Sequence, residues 1–263
     1  MRAAFFFCPR GRGGLKQQGP RKRPESDVTQ DNGWEASAQA WIATLGDRGD
    51  FARLHVIDAP LLQRLREGGF RQALDVGCGE GRMCRAMQQM GIATTGAEPT
   101  RALREAAMQR DPSGRYVDAR AEALPFDDAS FDLVLSCLTL VDVDGIEEAV
   151  SEIARVLTPG GAALIVNLNS FATAGGWQGS TPGQQRFVID NYMRPHAEWV
   201  GWQGIYIRNW HRPMSLYMQL FLQSGLQLTH YDEPMPDGQG DPDKTARYSR
   251  VPWFHLMEWR KPA

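Results

Sequence analysis

The spacing of apolar residues changes period repeatedly along the chain, and each change marks an element. Trp34, Ala38, Trp41 and Ile42 recur at helical spacing, and a second helical stretch covers Phe51 to Glu67 before the Gly68-Gly69 break. From Phe70 onward, short apolar runs alternate with helix-period segments. Leu74 and Val76 end a first buried strand, Ile92 to Ala97 forms a second, Tyr116-Val117 a third, and Ala162 to Leu168 a fifth. The fourth, Phe131 to Leu140, is a continuous apolar run suited to a strand covered on both faces. Between the strands, Arg82 to Met90 carries Met83, Ala86, Met87 and Met90 on one face, and Leu103, Ala106 and Ala107 face inward from a helix that Thr100 can cap. Ile146, Ala149, Val150, Ile153 and Val156 make one stripe, with Asp144 and Glu147 as a capping-box signature and Thr158-Pro-Gly-Gly161 as the stop.

Strand–helix repeats of this kind predict an α/β fold, a Rossmann-like doubly wound sheet of about seven strands with helices on both faces. Pro213 opens one more helix that ends at Gly225, and two further strands, about Leu226 to Asp232 and Arg250 to Trp259, flank a polar Pro/Gly/Asp loop. The expected organisation is a disordered basic tail over 1–32, helices over 33–69, a core over 70–168, an insertion over 169–212 and a closing helix and hairpin over 213–263.

Charge refines the picture at the tail. The net charge of the 263 residues is −2, yet the first 24 residues hold seven Arg or Lys and no acid. The remainder is acidic, which argues against broad nucleic-acid binding, a mode that leans on phosphate neutralisation. Gly11-Arg-Gly-Gly14 and Pro20-Arg-Lys-Arg-Pro24 break any amphipathic targeting helix, so a disordered tail is expected there. Cys8, Cys78, Cys84 and Cys137 show neither a CxxC pair nor zinc spacing and read as reduced thiols of a cytoplasmic protein. No apolar run approaches the ~18 residues of a membrane helix. Asp237, Asp241 and Asp243 lack EF-hand spacing, and no metal site is expected.

The chemistry is concentrated after the first strand. Asp75 is followed by Gly77, Cys78, Gly79 and Gly81, so a side-chain-free turn feeds a helix N-terminus, where free N–H groups and the helix dipole favour an anion. Glu98 closes the second strand, where a carboxylate can accept both hydroxyls of a ribose. The third glycine stands one residue earlier than in the pyrophosphate-binding Gly-x-Gly-x-x-Gly pattern, which disfavours a nicotinamide oxidoreductase.

This constellation resembles the first motif of class I S-adenosylmethionine-dependent methyltransferases of the small-molecule kind. The resemblance implies that the glycine loop holds the methionine part of S-adenosylmethionine, with Asp75 near its amino end and Glu98-Pro99 at the ribose. Ala121-Glu122-Ala-Leu-Pro-Phe126 looks like the segment that lies against adenine, with Glu122, or failing it Asp118, as the acid, because Arg120 stands where the usual acid would be. Phe131 to Cys137 resembles the fourth-strand motif, which implies that Ser136, Cys137 and Leu138 border the sulfonium. The closing hairpin resembles the antiparallel last strand of that family. Similar enzymes use their N-terminal helices as a lid, so Trp34 or Trp41 could meet the sulfonium through a cation–π contact. The signature for methylating exocyclic base amines is absent after strand four.

The acceptor pocket is expected in the aromatic stretch Phe171 to Arg212, after strand five, where such sheets place ligands. Trp177 and Tyr206 are candidate substrate contacts, Arg212 a candidate for holding an acidic acceptor, and His211 a candidate base near neutral pKa. The expectation is methyl transfer to a small apolar or aromatic metabolite. A protein that binds the cofactor and transfers nothing would look the same in sequence.

Overall fold

The computed structural model describes residues 32–46, 48–181 and 184–263, so the basic tail and Cys8 lie outside the described residues. Helix α1 (Trp34–Leu45) is followed by a π-helical turn, Arg53–Ile57, that runs into α2 (Asp58–Glu67). Then come β1 (Gln72–Val76), α3 (Arg82–Gln89), β2 (Ala93–Ala97), α4 (Arg101–Arg110), β3 (Arg115–Val117), β4 (Phe131–Cys137), α5 (Ile146–Val156) and β5 (Leu157–Leu168). A short α6 (Ser170–Thr173) leads into two hairpins, β6 (Gly175–Gln178) with β7 (Arg186–Ile189) and β8 (His196–Trp202) with β9 (Ile205–His211). The chain closes with α7 (Met214–Gln223), β10 (Gln227–Asp232), α8 (Pro242–Tyr248) and β11 (Phe254–Arg260).

Seven strands form one sheet in the order β10-β11-β5-β4-β1-β2-β3. The five from β5 to β3 run parallel, whereas β11 inserts antiparallel between β5 and β10, as the closing hairpin implied. The strand order reverses between β1 and β4, and the carboxyl ends of these strands open there into the crevice that such sheets use for ligands. Alternation along the strands builds two cores. Leu74, Val76, Val134, Ile165 and Trp259 pack against α5 and α7, while Ala73, Leu133, Leu135, Leu164 and Leu256 face α2 and α3.

Three local expectations are corrected. Asp144 does not cap α5: Gly145 occupies the N-cap, and the Asp144 carboxylate instead takes Arg208 and the Trp210 indole N–H. Thr100 stands at the N-cap of α4 but gives its N–H to Glu98, so its side chain caps nothing. The polar loop before β11 contains α8, whose start Asp241 caps by accepting from Asp243 and Lys244. Asp237 bonds His55, so these three acids serve the loop itself. The two insertion hairpins also went unread, because their strands are half-exposed and carry no clean alternation.

Among described residues no helix is long and apolar enough to cross a membrane. At the centre of the α7 face, Phe221 stacks on Trp259 with ring centroids 5.0 Å apart, both fully buried. Truncation there leaves a cavity that neither helix nor sheet can close. Phe221→Ala is expected to cost ~3–5 kcal/mol, read from the urea midpoint at unchanged slope.

Candidate functional site

The turn after β1 is shaped by what surrounds it. Gly77 has φ +72, and a Cβ on it would stand 2.2 Å from Thr139, so only glycine fits both the backbone and the contact. Gly79 has φ +57 and nothing within 4 Å of its missing side chain, leaving its backbone open to the cavity. Gly81 plays a different part from the one the motif implied. It packs under Tyr116, whose hydroxyl would be 2.7 Å from a Cβ, and starts α3 without touching the cavity.

Glu98 organises this edge of the sheet. Its two carboxylate oxygens accept the Gly79 N–H at 3.0 Å and the Thr100 N–H at 2.8 Å, tying the glycine turn of β1 to the end of β2. A carboxylate offers about four acceptor positions, so capacity remains toward the cavity. Burial pushes its pKa upward against these bonds.

The crevice, about 700 Å³, is lined by Gly77, Gly79, Glu98, Pro99, Ala121 and Glu122 among others, with Cys137 and Leu138 at its inner end. Pro99, Leu103, Ala121 and Val143 supply apolar wall beside the Glu122 carboxylate, which Arg120 holds at 2.9 Å. Asp118 is paired with Arg104 and its side chain is 69% exposed, so it is not the acid of this wall. Leu138 turns the chain out of β4 with φ +60, a strained conformation for a branched residue, and donates its N–H to Val166. A neighbouring space lined by Asp75, Cys78, Glu80 and Arg82 shares Trp41, Arg53, Gly77, Gly79 and Cys137 with the crevice and extends it.

Ser136 is corrected. It is fully buried on the α7 face of β4, because side chains alternate and its neighbours Cys137 and Leu135 face the other way. The Cys137 thiol does line the crevice, but burial pushes its pKa up to about 12, so it is no nucleophile at neutral pH.

Residues the motifs did not supply complete the site. Arg53 is buried in the π-helical turn, bonded to Asp50 and lying 4.8 Å from the Trp41 ring. Trp34 and Trp41 cover the crevice edge-to-face, and the Trp34 indole donates at 3.0 Å to Asp142, with Asn209 of β9 donating from the other side. The irregular turn at 53–57 and the hairpin that brings Asn209 are tertiary features, so no spacing announces them.

A second cavity, about 890 Å³, lies among α6 and the two hairpins, with Phe187, Trp202, Trp210, Tyr248 and Trp253 in its wall. A smaller space of about 310 Å³ shares Trp34, Leu138 and Asp142 with the crevice and Leu168, Trp202 and Asn209 with the aromatic cavity. The two are thus neighbours through a neck.

The four acceptor-side candidates fare differently. His211 lines the aromatic cavity, but both ring nitrogens are engaged, one with the Thr173 hydroxyl at 2.8 Å and the other donating to the Tyr192 carbonyl at 2.7 Å; burial lowers its pKa. Arg212 is buried with its guanidinium on the carbonyls of Leu140, Val143 and Asp144, a clamp on the loop after β4 and no anion site. Tyr206 is 54% exposed and stacks on Trp199 outside the hairpin. Trp177 is buried behind Phe187, beneath Arg247 and Arg250.

The sheet order, the reversed last strand and the crevice define the class I methyltransferase architecture, and the comparisons agree. Residues 74–165 match the family of methyltransferase domains. The malonyl-[acyl-carrier protein] O-methyltransferase of Salmonella typhimurium is 34% identical over 145 residues, 54% of this chain and 53% of that protein. The chain thus spans about half the length of the curated relatives it matches. An S-adenosylmethionine-dependent methyltransferase of Mesorhizobium loti superposes with a TM-score of 0.66 at 24% identity, covering 77% of this chain and 96% of its own. The CcbJ methyltransferase of Streptomyces caelestis gives 0.62 at 14%, covering 88% and 98%. Residues 74–165 thus carry a methyltransferase domain, and the chain is similar in fold to S-adenosylmethionine-dependent methyltransferases, which implies S-adenosylmethionine as its cofactor. Among described residues no cluster of His, Cys, Asp or Glu could hold a metal.

The crevice fits that cofactor by its own chemistry. A backbone open at Gly79 stands beside three carboxylates, Asp75, Glu98 and Asp142, whose pKa values are all raised chiefly by burial. Such a site favours a ligand with positive charge and hydroxyls.

Two outcomes follow. Removing the Glu98 carboxylate takes away an ionic acceptor worth ~1.5–3 kcal/mol, so Glu98→Ala is expected to weaken S-adenosylmethionine binding about tenfold to a hundredfold by calorimetry. Asp75, pushed up to about 7, keeps its proton in the folded state while the unfolded chain ionises near 3.8. Wild-type stability therefore falls as pH rises through that window by a few kcal/mol and levels off above it. Asp75→Asn removes the proton and is expected to gain on wild type over the same window, read by urea unfolding at several pH values.

Proposed function

We propose that this protein transfers a methyl group from S-adenosylmethionine to a small, neutral, apolar or aromatic acceptor held in the aromatic cavity. The observation that carries the reading is the neck: the small space between the two shares Leu138 and Asp142 with the cofactor crevice and Leu168, Trp202 and Asn209 with the aromatic cavity. S-adenosylmethionine, when bound, supplies a methyl on a sulfonium already activated for displacement. The protein's tasks are then to orient and to exclude water, and alignment alone can contribute ~7–11 kcal/mol. The glycine turn, Glu98 and the Pro99–Ala121–Glu122 wall would hold the donor; Arg53, near the Asp75 end of the crevice, is suited to its carboxylate. Trp34 and Trp41 shield the crevice, and their faces suit a cation.

The relatives named for a malonyl group on an acyl carrier protein suggest a second acceptor class, an acid carried on a protein. A free carboxylate requires a cation beside it. Among the described residues lining the aromatic cavity there is no Lys or Arg, and its one carboxylate, Glu198, would repel such a group. The neutral acceptor is therefore preferred.

Gly176 offers a direct test, because it lines the aromatic cavity with nothing within 4 Å of its missing side chain. Gly176→Leu is expected to project a side chain into the cavity and obstruct it, leaving S-adenosylmethionine affinity within about twofold while methyl transfer to apolar compounds of a metabolite extract falls more than about tenfold. Label appearing instead on malonyl-loaded acyl carrier protein would support the carrier reading. Tight binding of NAD without the sulfonium compound, or binding with no labelled product from any extract, would reject the enzyme assignment.

A further inference from the structure

The neck between the two cavities holds a carboxyl group where the crevice and the aromatic cavity approach each other. Its wall contains only two ionisable side chains among the described residues, Arg53 and Asp142. A guanidinium cannot accept a proton at accessible pH. The other ionisable groups of the aromatic cavity do not line the neck: Glu198 lies toward His196, His211 has both nitrogens engaged, and burial raises the pKa of the Tyr248 phenol. Asp142 is half-buried, reached from the cavity side and held by two donors from opposite sides, the Trp34 indole of α1 and the Asn209 amide of β9. A carboxylate pinned in this way keeps an acceptor lone pair and a fixed direction.

We infer that Asp142 is the base of methyl transfer, ionised by the arrival of the donor's sulfonium and positioned by Trp34 and Asn209 to take the acceptor's proton. The inference rests on the methyltransferase reading above. In the step, the acceptor's O, N or C forms a bond to the methyl carbon, and the methyl–sulfur bond breaks with its electron pair left on sulfur. The acceptor's proton passes to the Asp142 carboxylate, which later releases it to water.

The electrostatic surroundings explain why the donor would act as the switch. Burial and the like charge of Glu98 push the Asp142 pKa up to about 8, against the Trp34 and Asn209 bonds and the attraction of Arg212. Of the other charged groups around it, Asp144 is paired with Arg208, Glu122 with Arg120 and Arg53 with Asp50. A cation brought into the crevice lowers a carboxylate's pKa, so binding of a sulfonium ionises Asp142 near neutrality, whereas binding of the neutral thioether product does not. The base would be armed with the donor bound and relax once the methyl has gone.

Calorimetry of the full chain tests this without a known acceptor. S-adenosylmethionine and S-adenosylhomocysteine are titrated in buffers of different ionisation enthalpy, into wild type and Asp142→Asn, a substitution that keeps an acceptor oxygen for Trp34. Wild type should release more protons than the variant on binding S-adenosylmethionine, and the two should match with S-adenosylhomocysteine. Equal release with the sulfonium compound would overturn the inference. Label transfer to the metabolite extract should fall by about a hundredfold in Asp142→Asn and lose its rise with pH; rates within about twofold of wild type would again overturn it. Should the variant fail to fold, carboxyl ¹³C titration of wild type with and without the donor reads the same ionisation, and a high aspartate pKa that does not fall on binding rejects the role. If wild type binds neither compound, the methyltransferase reading itself fails; if it binds and transfers while the variant matches it, only Asp142 is excluded.

Discussion

Three carboxyl groups converge on one crevice, and the low-dielectric interior pushes each of them toward its neutral form. Asp75 from β1, Glu98 at the end of β2 and Asp142 after β4 each sit where burial disfavours their charge. The nearby cations are committed: Arg82 to Asp58, Arg53 to Asp50, Arg104 largely to the Glu98 carbonyl and Asp118. A fold keeps such an arrangement only against a cost in stability, which a positively charged ligand relieves. S-adenosylmethionine brings an ammonium and a sulfonium, which would favour ionisation of these carboxyl groups and be held by the charges so formed.

A second constraint couples the crevice to the hairpins of the insertion. Arg212 grips the carbonyls of Leu140, Val143 and Asp144, and β9 adds Asn209 to Asp142, Trp210 to the Val141 carbonyl, and Arg208 and Trp210 to Asp144. The loop after β4 would otherwise have buried carbonyls without partners, and the insertion satisfies them. Any change in the β8/β9 hairpin is thereby transmitted to the wall of the cofactor crevice.

Much of the core was legible because its signals are local. Apolar runs and helix stripes fixed β1 to β5 and α3 to α5, since parallel strands covered on both faces must be apolar throughout. The glycine turn and Glu98 announced the crevice because backbone conformation and strand ends are properties of short segments. Where the reading failed, a distant partner decided. Asp144 looks like a helix cap until Arg208 and Trp210 arrive from 64 and 66 residues away. Arg212 looks like an anion site until three carbonyls saturate it, and Ser136 follows a strand motif but faces α7.

The sequence by itself determined the sheet and the chemical character of the cofactor crevice, since hydrophobic period, glycine and a strand-end acid act within a few residues. Tertiary structure alone decided the rest: that Trp34, Asp142 and Asn209 meet, that Arg53 turns inward from a π-helical turn, and that the insertion folds into two hairpins around an apolar cavity. Those outcomes depend on packing and hydrogen-bond satisfaction across long chain separations, and no residue pattern near any one of them encodes its partner.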